Sequence, residues 1–570
     1  MNSLRAISMP QHSTIRNLVL LVAAFSIPCA AVRAQALQHS LKGEDLQDHF
    51  GYSVSGGRDF DLDGHDDLIV SAVYYLTQAG YVRVLSGRTG EVLYAIESEH
   101  LAAGFGSDVS SIDDVNGDGV DDFLIGAYWD SIDVHYSGAV YVFSGRDGEQ
   151  LYAISGIGAF DLFGGAVAAA GDVNADGTPD FIVGGIGSDR NGDGSGSAWV
   201  CSGADGDFLW EFVGDAPGDR LGFSVAGVGD VDLDGHADLA VGGFPSSGTR
   251  EGLARVFSGA DGSVIRTHHG ALQSATGSSV AGLGDVDGDG VPDYAVGAYL
   301  ARDPADFTLI RGSLTVYSGL TGTVLYKIWG EPDSTLGFSC DGPGDVDGDG
   351  VGDLIVGAPS VDASAGMERY AVVHSGSDGR LLFRLDGDDV QFAFSVRGAG
   401  DVNGDGLADL IVGSLKEDST VENAGAAHVY LGGCPAPERF CSAGPNSAGP
   451  GALIGSEGGP SISINQFTLL VEGAVPDQIG LFFYGAPSAE APFGDGVRCV
   501  GAPAWRLPAV VLDSDGAAQS ALDCSAPGAS AGPGEIVPGI PRGFQFWYRD
   551  PSAAGAGFNL SDGLLLTPCP

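Results

Sequence analysis

Basic residues are scarce in this chain: 26 Lys and Arg stand against 75 Asp and Glu, for a net charge of −49. Nucleic-acid backbones are held by clustered Lys and Arg, so this balance excludes a nucleic-acid partner. The eight cysteines include no C-x-x-C pair and have no His cluster nearby, so zinc-site spacing is absent. Beyond the N-terminus no stretch holds about 18 uninterrupted apolar residues, which excludes a later membrane-spanning helix. Catalytic patterns are missing too. The one G-x-S-x-G string, GASAG at Gly528, lies in a Pro/Ala/Gly-rich stretch with no strand before it, so it is no nucleophile elbow. The pair His268 and His269 falls in or beside an outer strand and reads as surface.

The N-terminus reads as a secretory signal over residues 1–34. Arg5 and Arg16 supply positive charge, Leu18 to Ile27 form a short apolar stretch, and AAVRAQA offers cleavage after Ala34 or Ala36. The apolar stretch is too short to span a bilayer. A secreted or cell-surface chain meets an oxidising environment, where disulfides persist. Cys201 and Cys340 are scattered, while Cys434, Cys441, Cys499, Cys524 and Cys569 crowd the C-terminal part, which predicts disulfides there. Five is odd, so at least one of those thiols is free or pairs elsewhere.

What the chain has in abundance is glycine, 93 residues, and one aspartate motif repeated seven times. The copies are DFDLDGHDD, DVNGDGVDD, DVNADGTPD, DVDLDGHAD, DVDGDGVPD, DVDGDGVGD and DVNGDGLAD, starting at Asp59, Asp114, Asp172, Asp230, Asp285, Asp345 and Asp401. Their starts lie 55 to 60 residues apart, a period that marks an array of structural repeats. Each copy follows FG-x-S-V or a variant, such as FGYSV at Phe50 or LGFSV at Leu221. Each precedes an apolar run such as DLIVSA or DYAVGA, then a variable stretch, an alternating strand such as AVYVFSG, a turn, and one more strand such as GEQLY. Four short strands per period describe one antiparallel blade. The second should be buried on both faces and the third half-exposed.

The predicted fold is therefore all-β: a seven-bladed β-propeller over residues 35–433. The seventh unit stops after its third strand at Gly433, and ALQHSLKG (Ala36 to Gly43) supplies the missing fourth from the other end of the chain. That pairing would remove an exposed sheet edge and close the ring. Residues 434–570 change texture to Ala, Gly, Pro and Ser with apolar runs such as IGLFFYG and FQFWYRD, and read as a small, Cys-containing β-sandwich-like domain. Asp513 and Asp515 there read as an ordinary turn.

This text resembles the FG-GAP repeat family, best known from the propeller of integrin α chains and of glycosylphosphatidylinositol-specific phospholipase D. The resemblance covers roughly residues 36 to 433 and rests on FG, then D-x-D-x-D-G-x-x-D, then GA or GAP, as in GAPS at Gly357. TGSSV at Thr276 and FAFSV at Phe392 depart from it. The ending FQFWYRDPSAAGAGFNLSDGLLL resembles C-terminal modules of secreted planctomycete-type repeat proteins.

The loops themselves point to calcium, a hard cation that takes six to eight oxygens. Carboxylates or amides at positions 1, 3, 5 and 9 can wrap such an ion, with Gly at position 6 for the bend. The donors would be Asp59, Asp61, Asp63 and Asp67; Asp114, Asn116, Asp118 and Asp122; Asp172, Asn174, Asp176 and Asp180; Asp230, Asp232, Asp234 and Asp238; Asp285, Asp287, Asp289 and Asp293; Asp345, Asp347, Asp349 and Asp353; Asp401, Asn403, Asp405 and Asp409. Position 7 would add its backbone carbonyl, at His65, Val120, Thr178, His236, Val291, Val351 and Leu407. Without metal, four converging carboxylates repel one another. Up to seven Ca²⁺ ions, one per blade, are expected in a structural role, with the Asn-containing loops the weaker.

Connections in a meander alternate ends, so the variable loops face away from the acidic ones. They carry Tyr75, Tyr128, Trp129, Arg190, Phe244, Arg250, Tyr299, Arg302 and Arg311 as candidates for contact with an extracellular protein or glycan. In integrins the matching face is where ligands bind, which the resemblance carries over as an expectation. The expected function is a non-enzymatic, secreted binding or adhesion module. The alternative is a secreted hydrolase or lyase acting on polysaccharide or lipid, and the oligomeric state is open.

Overall fold

The computed structural model describes residues 37–570 except 44–46, 74–78, 101–102, 133, 246–250, 361–367, 388, 390, 418–422, 434–436, 458–466, 525, 527–528, 530–533, 537–540, 553–554 and 567–570. The expected signal segment, Tyr75, Arg250, Cys434 and Cys569 lie outside the described residues. The described residues form strands and turns without a helix: seven four-stranded antiparallel sheets, one five-stranded and one three-stranded.

Each four-stranded sheet follows one copy of the repeat. In the first unit the strands are Phe50–Arg58, Asp67–Ala72, Tyr81–Leu85 and Val92–Glu97, joined in chain order. The seventh differs in its outermost strand. There Leu37–Lys42 pairs with Ala426–Tyr430, His39 opposite Val429 and Lys42 opposite Ala426, so the two ends of the repeat region share a sheet. The first strands neighbour one another in chain order, and Phe392–Gly400 of the seventh lies against Phe50–Arg58 of the first. A closed ring results, with first strands at the centre. The pairing covers the outer edge of Ala426–Tyr430, so the seventh sheet has four strands like the others.

Burial runs outward in steps. The second strands, such as DFLIGA (Asp122–Ala127), are buried at every residue, as their unbroken apolar text requires. The third strands are buried more completely than alternation suggested: AVYVF (Ala139–Phe143) exposes only Tyr141 in part. The half-exposed strand is the fourth, as in VLYAIE (Val92–Glu97). Both faces of a third strand are covered because neighbouring sheets pack face to face out to that radius. Only the outermost strand meets water.

FG and GA are the two sides of one inter-sheet contact. The FG glycines Gly51, Gly106, Gly164, Gly222, Gly277 and Gly337 hold φ between 82° and 90°, a region costly for any residue with a Cβ. A Cβ on Gly222 would overlap the carbonyl oxygen of Ser197 in the preceding sheet. In turn, a Cβ on Gly184, next to last in the preceding second strand Asp180–Gly185, would overlap the Gly222 carbonyl. Backbone lies on backbone in the same way at Gly51, Gly164, Gly277 and Gly337, whereas Gly106 lies against the Ser71 side chain. In the seventh unit Ala393 takes the FG glycine's place with φ at 63° and is fully buried.

The five-stranded sheet runs Glu438–Phe440, Phe558–Leu566, Arg542–Arg549, Ile479–Phe493, Gly496–Val511 in spatial order. The three-stranded one runs Leu453–Glu457, Thr468–Glu472, Ala518–Ala521. They enclose one core around Leu469, Phe482, Phe544, Phe546 and Leu564. A Cys441–Cys499 disulfide crosses 58 residues of chain. Cys201 and Cys340 are buried thiols within the ring, and burial pushes Cys340 up to about 12. Asp513 forms a turn, its carboxylate accepting the N–H groups of Asp515 and Ala517.

Candidate functional site

The seven acidic loops adopt one geometry. Asp at position 1 accepts the N–H groups of positions 5 and 6 at 2.7–3.2 Å in every copy, beginning with Asp59 and ending with Asp401. The side-chain oxygen at position 3 accepts from the N–H of position 5 at 2.8–3.2 Å. Position 5 accepts from position 7 at 2.8–3.0 Å. Such a chain of acceptors needs a tight left-handed bend. Gly64, Gly119, Gly177, Gly235, Gly290, Gly350 and Gly406 provide it at position 6, with φ of 87–93°. Position 4 is left-handed as well, and Leu62, Ala175 and Leu233 tolerate φ of 57–64° there.

Position 9 ties each loop to its sheet. One carboxylate oxygen accepts the N–H of position 2 at 2.8–2.9 Å. The other accepts the N–H of the glycine that follows the third strand, from Gly87 in the first unit to Gly432 in the seventh, at 2.5–3.1 Å. This explains the glycine two residues past each third strand, in Ser-Gly in six units and in Leu431-Gly432 in the seventh. The residue at position 2, Phe60 in the first loop and Val in the others, is buried between sheets. Burial raises the position 9 carboxyls, to about 7 at Asp67, Asp353 and Asp409 and to about 6 at Asp122, Asp180 and Asp238. Asp293 is raised in the same way.

The donor set fits a hard cation. Carboxylate oxygens lie within 4.8 Å of one another in Asp59, Asp61 and Asp67; in Asp230, Asp232 and Asp234; in Asp285, Asp287 and Asp289; and in Asp345, Asp347 and Asp353. These are the four loops with Asp at position 3, and several of their acidic groups could hold a metal ion. In the other three loops Asn116, Asn174 and Asn403 present an amide oxygen at the same place. The two position 7 histidines do not point at the carboxylates. His236 Nδ1 lies 2.7 Å from the Val173 carbonyl of the preceding loop, and the His65 ring lies over Gly404 of the loop before it. Arg380 reaches Asp347 at 2.6 Å, and Arg88 lies 3.7 Å from Asp63.

Strand direction puts the opposite ends of the second strands, and the starts of the first strands, on the other face. Six aromatic rings meet there around the mouth of the central channel. Tyr52 lies 5.3 Å from Phe394, Phe394 5.0 Å from Phe338, and Phe338 5.3 Å from Tyr299. Tyr299 lies 6.0 Å from Phe244, and Phe244 4.5 Å from Phe223. All six are half-buried. Most contacts are tilted or edge-on, so the rings form a collar rather than a filled stack. Tyr128 stands close to Tyr52 and touches Trp129 at 5.0 Å.

Of the contact candidates, the structure brings Phe244 and Tyr299 into this collar, and Arg302 lines a hollow beside them. It does not bring in Arg190 or Arg311. Arg190 bonds Glu211 at 2.9 Å, and Arg311 bonds Asp303 at 3.0 Å and the Gly330 carbonyl. Sequence reading missed Tyr52, Phe223, Phe338 and Phe394. Their signal was the third place of FGYSV, LGFSV, LGFSC and FAFSV, which faces the channel in each unit.

Below the collar the channel is lined by serines and by Asp108 and Arg397. Asp108 accepts from Ser53 Oγ at 2.7 Å and from the N–H groups of Val109 and Val167. Burial raises its carboxyl, and the Arg397 charge opposes the rise.

The FG-GAP repeat family matches residues 50–85, 105–143, 342–374 and 392–430. The chain is 28% identical to integrin alpha-5 of Xenopus laevis over 302 residues, 50% of this chain and 23% of that protein. It is 31% identical to integrin alpha-V of Gallus gallus over 241 residues, 39% of this chain and 23% of the relative. With integrin alpha-6 of Gallus gallus it shares 32% over 215 residues, 35% and 19% of the two chains. The matches thus span 19–23% of these relatives' lengths.

Proposed function

We propose that this chain, an integrin-alpha-like β-propeller built of FG-GAP repeats, is a secreted binding or adhesion module that works outside the cell. The loops would hold Ca²⁺, up to seven ions, through the side chains at positions 1, 3, 5 and 9 and the carbonyl at position 7. Bound calcium would supply charge compensation to carboxylates that otherwise repel one another. Its role is structural: each loop is tied through position 9 to its own sheet and through position 2 to the inter-sheet core.

The collar of Tyr52, Phe394, Phe338, Tyr299, Phe244 and Phe223 carries the reading of the other face as the contact surface. Half-exposed rings on a rigid scaffold bury large area at small entropic cost, as interface anchors do. The ligand would be an extracellular protein or glycan, set by Tyr128 and Trp129 and by the variable loops around the collar. Among the described residues no helix is long and apolar enough to cross a membrane.

A protein and glycan array probed with the purified chain tests this. Binding in calcium that drops at least tenfold in Tyr299→Ala or Phe338→Ala, with the fold intact, is the expected result. Turnover of a polysaccharide or lipid, lost in Asp108→Asn, would instead support the secreted hydrolase or lyase and overturn the adhesion reading.

A further inference from the structure

The C-terminal sandwich carries a groove that the propeller reading does not use. One face of its five-stranded sheet is buried: Phe482, Tyr484, Phe544, Phe546 and Tyr548 pack in the core. Side chains alternate along a strand, so the residues between them turn outward. Phe483 and Leu560 form an apolar floor there, and Trp547, Phe558 and Phe493 stand around it. The three rings touch, Trp547 to Phe558 at 5.8 Å and Phe558 to Phe493 at 5.5 Å, both tilted. They shape a hollow of about 420 Å³, within the roughly 300–1,000 Å³ of small-ligand sites.

Two arginines complete the lining. Arg498 is fixed in place: its Nε donates to the Val500 carbonyl at 2.7 Å, and its guanidinium lies 5.8 Å from the Phe493 ring centre. Arg506, opposite Phe483 in the sheet, is exposed and has no hydrogen-bond or ion-pair partner among the described residues. Among the described residues no carboxylate bonds either arginine, in a chain with 75 acidic residues. The acids near the groove are engaged elsewhere. Asp495 accepts the N–H groups of Ala556 and Gly557, and Glu490 accepts that of Ser442. A positive, aromatic hollow on so acidic a chain is complementary to an anion with an apolar face.

We infer that this groove binds an anionic saccharide, an oligomer bearing uronic-acid carboxylates. The C–H face of a pyranose ring lies against Trp547 and Phe558, and its carboxylate pairs with the free guanidinium of Arg506. The floor strands that carry Phe483 and Leu560 are each paired on both sides, so the floor meets a ligand with side chains rather than with a backbone ladder. An acyl chain is disfavoured because Ala504, Arg506 and Phe493 leave one side of the hollow open to water.

Calorimetric titration of the full chain, at one fixed calcium concentration, decides the matter with three probes: galacturonate oligomers, neutral glucose oligomers of equal length, and decanoate. The expected result is that only the uronate oligomer binds. Its affinity falls at least tenfold in Arg506→Gln and in Trp547→Ala, each with an unchanged thermal transition. Tyr299→Ala, at the channel collar, leaves it as it was, which separates this site from the propeller face. Equal binding of the neutral oligomer, preference for decanoate, no uronate binding, or indifference to Arg506→Gln each overturns the proposal.

Discussion

The repeat region and the C-terminal sandwich are both all-β, yet they are held together by different means. Around the ring one joint is repeated: an FG glycine lies against the backbone of the sheet before it, with an Asp loop tying strands together below. Beside that close approach each joint buries apolar side chains from both sheets, such as Phe60 and Val82 against Phe105 and Phe123. The sandwich has no repeat; it has one core of aromatic and aliphatic side chains and a disulfide. Repetition lets the ring divide its apolar burial among seven similar joints, each with its own cluster between two sheets and a polar loop. A single small core needs bulk and a cross-link instead.

Calcium removal should separate the two regions most. At ten times its dissociation constant each bound ion adds about 1.4 kcal/mol, so seven add about 10 kcal/mol. Calorimetry with and without a chelator at pH 7.5 should show the propeller transition fall steeply while the sandwich transition stays. An unchanged propeller transition would end the structural role for calcium. Acidification should narrow that gap. The position 9 carboxyls of Asp67, Asp353 and Asp409 are pushed by burial to about 7 when folded, above the ordinary aspartate value of 3.8. Between these values the metal-free folded chain binds more protons than the unfolded chain, so it gains stability as pH falls from 7 towards 4. The same protons compete with calcium, so the loaded form loses stability over that range. At pH 5 the chelator effect should be smaller than at pH 7.5.

Reduction should do the reverse. Opening the Cys441–Cys499 loop of 58 residues costs about 4 kcal/mol by chain entropy. A Cys441→Ser, Cys499→Ser pair should lower the sandwich transition alone. The smallest effects test the joint itself. Gly222→Ala places a Cβ against the Ser197 carbonyl at φ of 89° and should cost about 3 kcal/mol in urea unfolding. Ala393→Gly relieves a left-handed alanine and should stabilise by about 1 kcal/mol. If the two substitutions had the same sign, the backbone-contact account of FG would fail.

Much of this was legible in the residues. The period, the four strands per unit and the acidic loops are written in text that repeats, and the acceptors at positions 1, 3 and 5 bond N–H groups of their own loop. Asp59 meets the N–H of Gly64 because only five residues separate them. Other features join distant residues and left no local pattern. His268, read as surface, is half-buried, 2.8 Å from the Tyr294 hydroxyl and stacked on Tyr317 at 3.8 Å; burial lowers it to about 4. His269 beside it is exposed. Only two of the collar's six rings were seen, because loop aromatics stood out while Tyr52, Phe223, Phe338 and Phe394 hid inside the FG-x-S-V motif.

The sequence by itself determined the unit and its local chemistry, namely the hairpins, the left-handed glycines and the oxygen-rich loops. These depend on contacts within a single repeat. Tertiary structure alone decided which aromatics meet, that third strands are covered on both sides, and that Arg498 and Arg506 share a groove. Those outcomes depend on how sheets pack against one another, and packing distance between sheets is not written in the spacing of residues along any one of them.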